Sequence, residues 1–246
     1  MPLLPTEAIE TSSEELPPRS AGRLVGGLFI MATVAGVVSL VLQQPVTGAA
    51  DYLTEAINHG SRLAAAAVLE LVMAAAIVSI AVAAHPVIAR TNPRLAIGYV
   101  AARSIEGAMF AVDTIGLLIV VFMSRTISGG AAAESLEVIG SVVVAGRELA
   151  SLAVGALAFS AGAFILNYVL FRRRLVPAWL ALWGLIGALM YHATFWISAY
   201  GLEGVSSTQT VLAMPLAVQE MALAAWLVVK GFNARTDDSE RLTEHA

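Results

Sequence analysis

Arg103, Glu106 and Asp113 lie within one run, Arg94 to Met123, that is otherwise long and apolar enough to cross a bilayer. Arg103 and Glu106 are three residues apart, and Glu106 and Asp113 seven. At about 3.6 residues per turn all three fall on one stripe of a helix. Ionisable groups at membrane depth are costly, so they face a bundle interior or a watery cavity. The stripe therefore predicts the inside of the protein. Glu70, His192 and Glu220 lie in other apolar runs and join the candidate set. Together these six residues are the candidate ligand-binding or proton-binding groups.

The charge arithmetic constrains what such a set can do. One cation, Arg103, faces four carboxylates: Glu70, Glu106, Asp113 and Glu220. An arginine stays charged and bridges at most two carboxylates well. Full ionisation would leave −3 in a low-dielectric bundle, so at least one carboxylate is expected to hold a proton near neutral pH, or the set lines a water-filled cavity. A polar pocket for protons, a cation or a ligand head group is the functional reading. The structural alternative is an Arg103–Glu106–Glu220 network that pins two helices together. His192, alone on an aromatic helix, reads more readily as a satisfied interior histidine than as a ligand or proton relay. Glu148 beside Arg147 reads as an interface pair.

The elements that must position these groups follow from composition. The chain has 246 residues, 58% of them hydrophobic and 13% charged, with mean hydropathy +0.80. Soluble domains are nearer a quarter charged. Several apolar runs exceed the roughly 18 residues that suggest a spanning helix, and long continuous runs exclude the short alternating strands of a membrane barrel. The fold class is all-α: a polytopic membrane protein with six transmembrane helices. They are expected at about Gly22–Leu42, Arg62–Ala84, Arg94–Met123, Glu148–Phe171, Ala178–Tyr200 and Gln209–Val229. A short interfacial helix is expected at Ala50–Asn58, with Tyr52, Leu53, Ala56 and Ile57 on one face. The second helix should stop near Pro86, and residues 131–145 should lie along the surface.

Residues 1–20, acidic and ending near Pro17-Pro18, read as a disordered tail. Residues 21–231 form the transmembrane domain and 232–246 a polar tail. With six spans, ten of the basic residues collect on the side of both termini and three (Arg62, Arg125 and Arg147) on the other. That asymmetry places both termini in the cytoplasm. The expected partners are membrane lipid and a small amphiphilic ligand or proton, with no nucleic acid, since there is no soluble basic domain.

Several chemistries lack their residues. With no cysteine there are no disulfides or thiolate sites. The only lysine, Lys230, ends the last helix, which excludes a retinal Schiff base. His85 and His192 fall at different depths, which argues against bis-histidine haem or a histidine metal site. There is no phosphate-binding loop and no Gly-x-Ser-x-Gly elbow. No metal and no cofactor is expected.

The chain also resembles a family of bacterial membrane proteins, domain of unknown function 4386. Arg19-Ser-Ala-Gly22 before the first helix, Arg103-Ser-Ile-Glu106, Pro177-Ala-Trp-Leu180 with Gly184, and Glu220 followed by Trp226-Leu227-Val-Val-Lys230-Gly231 carry the resemblance. It covers about Ser20 to Gly231. Ala178 departs from the basic residue expected after the proline. The resemblance implies six helices, draws attention to Arg103, Glu106 and Glu220, and brings no activity with it.

Three functions fit these residues. The first is a binding or transport protein of the bacterial cytoplasmic membrane, with Glu106 and Glu220 protonatable and Arg103 holding a head group or clamping the acids. The second is an integral-membrane enzyme acting on a lipid or isoprenoid through a buried carboxylic acid. The third is a structural or sensory subunit whose charges only pack helices.

Overall fold

The computed structural model describes residues 18–47, 49, 52–126, 138–143, 145–147, 154–200 and 206–233. The two tails expected at either end lie almost wholly outside these residues, as do Glu134, Glu137 and Glu148. The described residues are helical, in order α1 (Pro18–Thr47), α2 (Tyr52–Ala89), α3 (Pro93–Thr126), α4 (Val138–Arg147), α5 (Ala156–Arg172), α6 (Ala178–Ala199) and α7 (Ser206–Lys230).

Five of these, α1, α2, α3, α6 and α7, are long and apolar enough to cross a membrane. Helix α5 is apolar and has 17 residues, about 26 Å of helix. The surface is lined with large apolar side chains, among them Val34, Val68, Val82, Ile97, Ile115, Phe122 and Val211. In water such a surface would be an aggregation liability; against lipid it costs nothing. The chain is a helical membrane protein.

The six long helices close into a ring. Each packs on its neighbours in chain order, α1 on α2, α2 on α3, α3 on α5, α5 on α6 and α6 on α7, and α7 returns to α1. Small residues allow the closure, because lipid supplies no hydrophobic drive between helices and backbones must come close to gain dispersion. A Cβ on Gly26 would stand 2.7 Å from the Ala224 carbonyl of α7, and one on Gly107 would stand 2.9 Å from Val78 of α2. A Cβ on Gly187 would meet the α7 backbone at Leu216, 3.0 Å away. That contact falls one residue after Pro215, through which α7 continues as helix.

The family-like motifs at the two ends meet in space. Gly231 ends α7 at φ 72°, the left-handed conformation favoured at a helix C-terminus. A Cβ on Gly22 would lie 2.7 Å from the Phe232 nitrogen. Asn233 then donates from its backbone to the Leu175 carbonyl (2.8 Å) and from its side chain to that of Arg174 (2.9 Å). Arg173 donates to the Arg90 carbonyl (2.8 Å) and to the Thr91 hydroxyl (3.1 Å). The basic ends of α2, α5 and α7 are thus tied together.

Several boundaries differ from the sequence reading. Helix α1 begins at Pro18, inside the segment read as tail; proline lacks the N–H that a first turn leaves unpaired anyway. The short helix at Tyr52 runs into α2 across a kink at His59 (φ −120°, ψ 19°). Its inward residue is Ala56, fully buried, while Ile57 is exposed. Helix α2 passes through Pro86 to Ala89. Asn92 then accepts the Arg94 N–H at 2.9 Å, capping α3 with Pro93 in its first turn. Helix α4 begins within the stretch expected along the surface and, just past it, turns Arg147 inward.

Candidate functional site

The inner stripe of α3 is where the sequence places it. Tyr99, Arg103, Glu106, Thr114 and Leu117 are all buried. The charges along it, however, separate into two groups at different depths.

The lower group lies in the middle of the ring. Glu106 is thirteen residues into α3 and Glu220 ten residues from the end of α7, so both lie about 15–20 Å from the basic end. A cavity of about 190 Å³ opens between Arg103, Glu106, Phe110, Phe159, Tyr191 and Glu220, with Phe29, Ala32, Thr33, Met73, Ile77 and Gly155 completing its wall. All six helices of the ring contribute to it, Gly155 standing just before α5.

Arg103 is held in place from three sides. Its guanidinium carbon lies over two aromatic rings, 5.7 Å from the ring centre of Phe29 on α1 and 5.6 Å from that of Phe159 on α5. Its Nη1 is 3.0 Å from Glu106 Oε2. A Cβ on Gly162 would stand 3.0 Å from Arg103 Cδ, so that glycine leaves room for the arginine stem. Hydrogen bonding is incomplete: among the described residues neither Arg103 Nε nor Glu106 Oε2 has a well-aligned partner, and Tyr99 Oη has none either.

The Arg103–Glu106–Glu220 network, read from sequence as the structural alternative, forms only in part. The ion pair joins two residues of α3 and links no second helix. Glu220 faces Arg103 and Glu106 as its nearest charges but makes no ion pair within 4 Å among the described residues. The reason is geometric: α3 supplies its own carboxylate one turn from Arg103, and the cavity lies between that pair and α7.

The upper group sits about 30 Å from the basic end. Glu70 Oε1 accepts from Gln43 Nε2 (3.0 Å), and its Oε2 lies 3.0 Å from Thr114 Oγ1. Arg147, arriving from α4, donates to Asp113 Oδ1 at 2.9 Å, to Gln43 Oε1 at 3.3 Å and to Glu70 Oε1 at 3.4 Å. Ser39 donates to the Ala66 carbonyl at 2.9 Å. Four helices, α1 to α4, are joined here. A Cβ on Gly116 would overlap the Arg147 stem at 2.5 Å, so that glycine is the notch through which the arginine enters.

Arg147, placed by sequence among the outer-side arginines, lies toward that end but turns inward as a second cation, its side chain 9% exposed; its expected pairing with Glu148 falls outside the described residues. Among the described residues the interior thus holds two cations and four carboxylates, arranged as one arginine to two acids in each group. Asp113 and Glu70 belong to this upper group and do not line the cavity.

His192 belongs to neither group. Its Nδ1 lies 3.0 Å from Ser160 Oγ, between α5 and α6, and its ring meets Trp196 edge-on with centroids 6.3 Å apart. A third polar contact, Gln219 to Asn167 (3.1 Å) and to the Leu180 carbonyl (3.2 Å), links α7 to α5 and α6. The Asn167 amide occupies the place a Gly184 side chain would take. Among the described residues no group of three metal-ligating side chains occurs.

Sequence reasoning missed Arg147, Gln43 and Thr114, and the aromatic walls Phe29, Phe159 and Tyr191. Arg147 carried a local signal in Gly146-Arg147 at the end of an apolar segment, but none that pointed inward. The aromatic residues look like ordinary membrane-helix side chains until the ring brings them to one cavity.

The family model described as domain of unknown function (DUF4386) matches residues 24–231. The chain belongs to this family. No curated protein and no solved structure matches it.

Proposed function

We propose that this protein binds or transports a small amphiphilic ligand in an intramembrane pocket, with proton binding at Glu106 and Glu220. The observation that carries the reading is the mid-depth cavity of about 190 Å³, walled by all six ring helices, into which Glu220 presents a carboxylate with no ion-pair partner among the described residues. A group needed only for packing would be closed on by its neighbours, because a half-satisfied buried network is worse than an apolar one. Arg103 clamps Glu106 and sets the charge balance. If both acids ionise, the cavity carries −1, which a proton or a ligand offsets.

The protein sits in this reading in a bacterial cytoplasmic membrane, with six spans and both termini cytoplasmic. Supporting this are the basic residues gathered at one end of the ring, Arg90, Arg94, Arg172, Arg173, Arg174 and Lys230 among them. A C-terminal reporter active only in the cytoplasm is expected to be active; activity only of a reporter that works outside it would sink the topology.

The pocket is tested by mass spectrometry of small molecules retained through purification in mild detergent. Wild type is expected to retain a specific compound that Glu106→Gln and Glu220→Gln lose. Retention of nothing, together with variants that simply unfold more easily, would return both acids to a structural role. That structural reading is the one favoured for the upper group, where Arg147, Asp113, Glu70 and Gln43 are mutually satisfied.

A further inference from the structure

We propose that the ligand of this cavity is a small lipophilic organic cation, a tertiary or quaternary ammonium on a body no larger than about one ring, with Glu220 as its counter-ion. The inference rests on the pocket reading above and narrows it to one ligand charge.

The charges of the cavity favour a cation. Arg103, the only basic side chain among the described residues that line it, is already committed: Glu106 stands 3.0 Å away and the guanidinium carbon lies over the rings of Phe29 and Phe159. An anion reaching Arg103 would come to rest beside two carboxylates. A cation would meet Glu220, which has no ion-pair partner among the described residues, while Glu106 Oε2 is already engaged with Arg103 Nη1 at 3.0 Å.

The rest of the wall has the same preference. Phe110, Phe159 and Tyr191 line the cavity, the last two in edge-to-face contact at 4.9 Å and 88°. Aromatic faces attract ammonium groups through the ring quadrupole, most strongly where water is excluded. Size sets the body. A cavity of about 190 Å³ is somewhat larger than the roughly 150 Å³ that admits benzene, and below the several hundred that hold drug-sized molecules.

Protons must compete at this site. The titratable and charged groups facing Glu220 are Tyr99, Arg103 and Glu106 of α3 and Tyr191 of α6; the lining residues of α1, α2 and α5 carry no charge. A proton and a monovalent cation each bring the cavity to neutrality, so binding one releases the other. In a transporter the same exchange would couple cation movement to the proton gradient.

The test uses three probes of one shape on the purified full chain in detergent. They are phenyltrimethylammonium, its neutral isostere tert-butylbenzene, and benzenesulfonate. Wild type is expected to bind the ammonium roughly tenfold or more tightly than the isostere, with affinity falling as pH is lowered. Glu220→Gln, checked for an unchanged unfolding transition, is expected to lose both the preference and the pH dependence. Glu220→Asp, which keeps the charge, is expected to retain the preference in weakened form. Equal binding of ammonium and isostere overturns the proposal, as does unaltered ammonium preference in folded Glu220→Gln. Preference for benzenesulfonate overturns it too, while leaving the pocket and making Arg103 its anchor. Binding of no probe, with no compound retained from cells, overturns both this inference and the pocket reading.

Discussion

Arg147→Ala is expected to destabilise the protein by about 3–5 kcal/mol, the usual effect of removing one partner from a buried charge pair. The side chain is 9% exposed and is the nearest cation to both Asp113 (2.9 Å) and Glu70 (3.4 Å). Removing it leaves two inward carboxylates without a counter-charge, opens the notch at Gly116, and releases α4 from its polar anchor on α1, α2 and α3. Denaturant or thermal unfolding in detergent measures the loss. Arg147→Met combined with Asp113→Asn and Glu70→Gln should recover most of it, because an apolar and neutral replacement of a whole buried group is often nearly neutral. Ligand retention should survive in that triple variant, since none of its sites lines the cavity. A loss below about 1 kcal/mol for Arg147→Ala would mean the arginine behaves as a surface pair and that the upper group does not hold α4.

Arg103→Ala should be comparably costly, about 3–5 kcal/mol, but for a different reason and with a different rescue. Its removal leaves Glu106, 4% exposed, without a cation and deprives Phe29 and Phe159 of the cation that lies over their rings. The pair lies within α3, so its loss breaks no ionic link between helices. Arg103→Met with Glu106→Gln is expected to regain stability while weakening retention of the ligand, because the cavity keeps its net −1 on Glu220 but loses its second carboxylate and the arginine that orients it. Unequal effects on stability and retention distinguish a pocket from a strut. Were the double variant to regain stability and retain the same compound undiminished, the two charges would be packing devices and the site would rest on Glu220 alone.

The sequence determined a good deal of this protein. Continuous apolar runs and low charge dictate membrane helices, because an unsatisfied backbone in lipid costs several kcal/mol per group and a helix satisfies its own. Helical periodicity determined that Arg103 and Glu106 share the inner stripe of α3, and short motifs between Arg19 and Gly231 carry the resemblance to the family whose model matches residues 24–231. Those are local properties: spacing along one helix survives whatever the helix packs against.

What the tertiary structure decided is which charge meets which. Asp113 is seven residues from Glu106 on the same stripe, yet its partner is Arg147, thirty-four residues away and just past the stretch read as surface. Glu220 joins Arg103 and Glu106 in the network that the sequence offers as a structural alternative, and the ring places a cavity between Glu220 and Arg103 instead of an ion pair. His192 and Phe159 both belong to the α5–α6 side of the bundle, but one meets Ser160 and the other the cavity and Arg103. Such pairings depend on the rotation and axial offset of whole helices. Glycines at positions 26, 107, 116 and 162 set these through close approaches that involve residues far away in the chain. An ion pair depends on a few ångströms of separation, whereas hydropathy constrains a helix only to lie somewhere across the bilayer. The six-helix ring, through its packing, converts one stripe of charges into a satisfied anchor and an open pocket.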